Sequence, residues 1–92
     1  MRRAAKVDAN APAIEGALRE VGAAVQSLAR LGQGCPDALV SYKGVNFLFE
    51  WKNPDGKDEV NEAQRKWHIA WNAPVYVVRT PDEALKVIGA IA

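Results

Sequence analysis

The stretch VNFLFEWK, Val45 to Lys52, constrains the fold of this chain more than any other. In a strand, alternate side chains share a face. Val45, Phe47, Phe49 and Trp51 then point one way, and Leu48, Glu50 and Lys52 the other. The first row demands a core layer packed against it. The second ends in an acid and an amine, which a strand serving only a core would not need. Upstream, Asp37 to Lys43 (DALVSYK) reads as another strand, and Gly44 between the two makes a hairpin. That hairpin brings Asp37 towards the charged end of its partner.

The rest of the chain supplies elements around this hairpin. Asp8, Asn10 and Pro12 mark a helix start, and Ile14, Ala17, Leu18 and Val21 follow at helical spacing. Gly22 is a C-terminal helix stop. Ala23 to Leu28 is a weak strand, and Arg30 to Pro36 a loop punctuated by glycine and proline. After a polar turn at Asn53 to Asp58, Asn61 and Gln64 form a capping-box pattern. The helix it opens carries Val60, Ala63, Trp67, Ala70 and Trp71 as an expected buried stripe. Val75 to Val78 (VYVV) reads as a strand buried on both faces. Thr80-Pro81-Asp82-Glu83 opens a last helix with Ala84, Leu85, Val87, Ile88 and Ile91 as its apolar positions. The expected order is α-β-β-β-α-β-α, an α/β sandwich with a mixed sheet.

Composition sets bounds on function. Ninety-two residues make one domain, 1–92, whose first seven form a basic tail with Arg2, Arg3 and Lys6. The net charge of +1 argues against a highly basic coating protein and leaves room for a local basic patch. A single cysteine, Cys35, excludes an internal disulfide framework and a Cys-based zinc site, which fits a cytoplasmic setting. No apolar run approaches the length of a membrane span, and the start lacks the apolar stretch of a signal peptide.

Two acids ending adjacent strands can hold a hard divalent cation through oxygen ligands, with water completing the shell. A metal held there polarises a phosphate oxygen and lowers the pKa of a bound water. Lys52 beside it can orient that water or offset transition-state charge. Each residue also has a plainer reading. Pro36-Asp37 is a common turn pair. Glu50 and Lys52 can form a solvated cross-strand face, and Gln64 can serve only its cap. Trp67 and Trp71 fit core or dimer contacts better than base-stacking platforms. Nothing beside Cys35 suggests a nucleophile.

Pro36-Asp37, one hairpin, then Glu50-Trp51-Lys52 resembles the signature of the PD-(D/E)XK nuclease superfamily. Within it, the chain is most similar to the small stand-alone VRR-NUC proteins of phages and to archaeal-type Holliday junction resolvases. The stretches that carry the likeness are DANAPAIEGALREVGAAVQSL, GQGCPDALVSYKG, FLFEWK, NEAQRKWHIAW and VYVVRTPDEAL, nearly the whole chain. The resemblance implies a restriction-endonuclease-like three-layer α/β sandwich and a Mg²⁺- or Mn²⁺-dependent DNA endonuclease selective for branched DNA. It implies Asp37, Glu50, Lys52 and Gln64 as catalytic residues, with the Trp51 backbone carbonyl joining Asp37 and Glu50 on the metal. Resolvase-like members place a Glu near the start of the first helix. Here Ala11 and Ala13 stand in that neighbourhood, with Asn10 the best substitute and Glu15 a second. Ser27 falls where relatives often carry a serine. Arg2, Arg3, Lys6, Arg30, Gln33 and His68 are expected DNA contacts.

A small domain cutting two strands needs two sites, so a two-fold homodimer is expected, with Val60, Trp67 and Trp71 or the last strand and helix at its interface. A phage-encoded protein would act in the host cytoplasm. The missing first-helix Glu and near-neutral charge motivate a rival: a non-catalytic DNA-binding or structural module that keeps the nuclease fold. A third reading is a nuclease domain working only in a larger replication or repair assembly.

Overall fold

The computed structural model describes residues 10–55 and 57–92. The basic tail read at residues 1–7, with Arg2, Arg3 and Lys6, lies outside the described residues. The elements run α1 (Ala11–Glu20), β1 (Ala24–Ser27), β2 (Ala38–Tyr42), β3 (Val45–Trp51), α2 (Glu62–Ala70), β4 (Val75–Val78) and α3 (Pro81–Ile88). This is the expected order. The four strands form one mixed sheet in the order β1-β2-β3-β4, antiparallel except for the β3–β4 pair.

The β2–β3 turn has two residues, Lys43 and Gly44, at φ 50° and 85°. Two consecutive left-handed residues match the right-handed twist of the flanking strands. The register that follows pairs Val40 with Phe47 and Ala38 with Phe49. Asp37 therefore comes in one residue before the pair at the charged end of β3. The parallel β3–β4 pair needs a crossover, and α2 lies within it.

One face of the sheet carries the core. Ala38 and Val40 of β2, Phe49 and Trp51 of β3 and Val78 of β4 are buried against Ala11, Ile14 and Leu18 of α1 and Ala84 and Ile88 of α3. The β3 aromatics form a ladder, with Phe47 and Phe49 rings 6.3 Å apart and Phe49 and Trp51 rings 5.4 Å apart. This ladder fixes the plane of β3, and so the direction in which Glu50 and Lys52 project on the opposite face.

Three expectations about burial fail. The stripe assigned to α2 is absent: no residue of that helix is buried, Trp67 is half-buried, and Trp71 is 49% exposed. The helix rests on polar side chains at one end of the sheet and leaves the rest of that face open. The strand VYVV is not buried on both faces either. It is the last strand of the sheet, only Val78 is buried, and Val77 is exposed. Its uniform apolarity reflects one packed face and one open one. Val21, placed in the α1 stripe, caps that helix and is exposed.

Candidate active site

The end of β3 brings the chemistry together. In open α/β sheets, ligand sites form beyond the carboxyl ends of parallel strands. Glu50 and Lys52 sit at that end of β3, and Lys52 N continues the ladder to the Val78 carbonyl. Both side chains are withdrawn from solvent: Glu50 is 1% exposed and Lys52 8%. Burying charge costs several kcal/mol per ion, so such groups need close partners (about 3–5 kcal/mol is lost when one of a buried pair is removed).

Gln64 provides the link between them. Its Nε2 donates to Glu50 Oε2 at 2.7 Å, and its Oε1 accepts from Lys52 Nζ at 3.1 Å. Lys52 Nζ stands 4.0 Å from the same carboxylate oxygen. The capping box is also present: Gln64 N donates to Asn61 Oδ1, and Asn61 N donates to Gln64 Oε1, both at 2.9 Å. The plain and the functional readings of Gln64 thus hold at once. The box fixes the carboxamide, which then spans the acid and the amine.

Asp37 closes the site from the β2 side. Its Oδ2 accepts from the Trp51 backbone N–H at 2.7 Å, which pins the peptide between Glu50 and Lys52. This is more than a turn contact, because it reaches across to the neighbouring strand. His68, one helical turn beyond Gln64, places Nε2 3.8 Å from Glu50 Oε1. Burial first, and the Lys52 charge second, hold its imidazole below its ordinary pKa of 6.5, so the ring is neutral at pH 7. Cys35 belongs to the same neighbourhood. Burial, then the fields of Glu50 and Asp37, raise its thiol pKa, which keeps it protonated and unreactive.

The other predicted residues fall elsewhere. Asn10 caps α1 by position but not by side chain. Its Nδ2 donates to the Lys52 carbonyl at 2.9 Å and to the Arg79 carbonyl at 2.7 Å. It therefore clamps the ends of β3 and β4 and steadies the Lys52 backbone. Its Oδ1 is buried with no hydrogen-bond partner among the described residues. Glu15 faces Arg19 on α1 at 3.7 Å. Ser27 is exposed and accepts from Ala29 N. Arg30 and Gln33 are exposed in the loop before Asp37.

A feature that sequence reasoning missed frames the site. Arg79, just past β4, donates from Nη1 to the Asn53 carbonyl and Asp58 Oδ1, and from Nη2 to the Asp58 carbonyl. Asp58 also accepts from the Asn53 N–H. Burial acts to raise the Asp58 pKa, but the Asn53 and Arg79 hydrogen bonds outweigh it and hold the carboxyl below its usual range. The signal was present: an arginine at the carboxyl end of a parallel strand, beside a polar loop.

Among the described residues, no three His, Cys, Asp or Glu side chains are grouped to hold a metal ion. The available donors are two carboxylates, backbone carbonyls and water, a hard oxygen set of the Mg²⁺ type. Compared with known proteins, the chain matches no family model, no curated protein and no solved structure. No helix among the described residues is long and apolar enough to cross a membrane.

Proposed function

We propose that this protein is a metal-dependent endonuclease that hydrolyses DNA phosphodiester bonds, with a restriction-endonuclease-like fold. The supporting observation is the convergence of Asp37, Glu50, Lys52 and Gln64 at one end of β3, tied together by hydrogen bonds of 2.7 to 3.1 Å. Their resemblance to the PD-(D/E)XK signature carries the assignment of chemistry. Mg²⁺ or Mn²⁺ is the cofactor of this reading, held by Asp37, Glu50 and the Trp51 carbonyl. When bound, it supplies Lewis acidity and a more acidic water. Gln64 orients the Glu50 carboxylate. Lys52 offsets negative charge on the phosphate or orients the attacking water.

Branched DNA is the proposed substrate, by resemblance to junction resolvases. A homodimer in a host cytoplasm completes the reading. Exposed Trp71 offers apolar surface, and the outer edge of β4, paired by no strand among the described residues, offers backbone hydrogen-bonding groups; both support that dimer.

One observation favours the non-catalytic alternative. Glu50 and Lys52 are almost fully covered beneath α2, so a phosphodiester reaches them only if that cover shifts. Purified protein with Mg²⁺ or Mn²⁺, offered a four-way junction, a flap and a linear duplex, separates the two. The nuclease reading expects cleavage, with Lys52→Ala slower by about 10²- to 10³-fold. Asp37→Ala and Glu50→Ala abolish it, and Glu15→Ala retains it. If the unaltered protein cuts none of the three substrates, the alternative stands.

A further inference from the structure

The two halves of the candidate site meet at Gly34. The loop from Arg30 to Pro36 delivers Asp37, and α2 delivers Gln64 and His68. A Cβ built on Gly34 would lie 2.2 Å from the Ala63 carbonyl oxygen, 2.6 Å from its carbon and 3.1 Å from the Gln64 amide nitrogen. All three are backbone atoms of the first turn of α2, so no side-chain rotation relieves the overlap. Gly34 also sits at φ +85°, where L side chains are disfavoured. Backbone therefore packs directly on backbone at this point.

That contact matters because α2 has no fully buried side chain to fix its height above the sheet. Trp67 and His68 are half-buried contacts of the helix, so apolar packing holds it only in part. The hydrogen bonds that tie it to the sheet run through the Gln64 carboxamide, which donates to Glu50 and accepts from Lys52, while the capping box holds that carboxamide within the helix start. Restoring ordinary van der Waals contact to a new Cβ requires the backbones to separate by about 1 Å. A shift of that order carries bonds of 2.7 and 3.1 Å to or beyond the hydrogen-bond limit of about 3.5 Å.

We propose that Gly34 is a positioning residue of this site: its lack of a side chain seats α2 on the Asp37 loop and so holds the Gln64 carboxamide across Glu50 and Lys52. The consequence for catalysis rests on the nuclease reading above. The seat itself does not, and it has its own readouts.

The same loop contains a matched control. Gly32 has φ +63°, yet a Cβ there meets nothing within 4 Å. Gly32→Ala therefore introduces left-handed strain without the clash. By NMR, the unaltered protein should show a weak to medium nuclear Overhauser contact between a Gly34 Hα and the Gln64 amide proton, which lies on the far side of the Ala63–Gln64 peptide from the carbonyl oxygen. Its absence overturns the seat without any variant being made. In Gly34→Ala the side-chain NH₂ resonances of Gln64 should move to those of an unbonded carboxamide, while in Gly32→Ala they stay in place. Unmoved resonances in a folded Gly34→Ala also overturn it.

On a cleaved DNA substrate, Gly34→Ala should lower kcat by about 10- to 100-fold with KM little changed, as Gln64→Ala does. Gly32→Ala should retain the kcat of the unaltered protein. Adding Gly34→Ala to Gln64→Ala should cost no further kcat, because the group it positions is already gone. A full additional loss in that double variant refutes positioning through Gln64. Failure of the unaltered protein to cleave, with the Gly34–Gln64 contact and the resonance shift both present, refutes the nuclease reading and leaves the seat intact.

Discussion

The two faces of the sheet are built on opposite principles. The face beneath α1 and α3 is apolar and closed: Ile14, Leu18, Ala38, Val40, Phe49 and Ala84 have no solvent exposure. The face beneath α2 is polar at one end and open at the other. Its covered part consists of Glu50, Lys52, Gln64 and His68, and its uncovered part is an apolar groove of about 640 Å³ that Leu39, Leu48, Trp67 and Trp71 help to line. One face stabilises the domain by excluding water from apolar surface. The other gives up such burial to hold an acid and an amine close together. Structural and chemical work are thus divided between the two sides of the same strand.

The largest effect that tests this division is on the closed face. Phe49→Ala removes the most bulky fully buried side chain and its ring contacts with Phe47 and Trp51. It should cost about 3–5 kcal/mol in urea denaturation. A cost near 1 kcal/mol would show that the ladder does not define this core.

The clamp on the ends of β3 and β4 comes next. Asn10→Ala removes two donors from the Lys52 and Arg79 carbonyls and should cost about 1–3 kcal/mol. Asn10→Asp should be worse than Asn10→Ala at neutral pH, because a carboxylate would face two carbonyl oxygens. Equal or greater stability of the Asp variant, with tighter Mn²⁺ binding by calorimetry, would instead make position 10 a metal ligand.

On the open face, Trp71→Ala should cost about 1 kcal/mol or less, mostly from its stacking on Trp67 at 4.5 Å. If the loss is larger and disappears on dilution, a second copy covers this groove. The smallest effect concerns Asp58. Its folded-state pKa lies below its unfolded value of about 3.9, so its contribution is present above that pH and is lost as pH falls through the folded pKa. Asp58→Asn should flatten the acid limb of a Tm-against-pH curve and lower Tm near neutrality. An unchanged acid limb would detach Arg79 from loop stability.

Local signals in the chain were strong wherever one residue type decided the geometry. Thr80 and Asn61 cap their helices, accepting from Glu83 N and Gln64 N. Alternation in β3 placed Glu50 and Lys52 on one face, and the hairpin delivered Asp37 beside them. The signals failed where the answer depended on what lies opposite. Apolar residues at helical spacing in α2, and four in a row in β4, carry no record of whether a partner surface exists. Asn10 reads as a cap, yet its side chain turns to two strand ends that lie 42 and 69 residues away.

What the sequence alone determined is the element order and the charged end of β3, because strand alternation, turn chemistry and capping act over a few residues. Only the tertiary structure decided which face is closed, that Gln64 bridges Glu50 and Lys52, and that Gly34 must lack a side chain. Those facts follow from the approach of segments distant in the chain, and packing and hydrogen bonding across space have no local period to read.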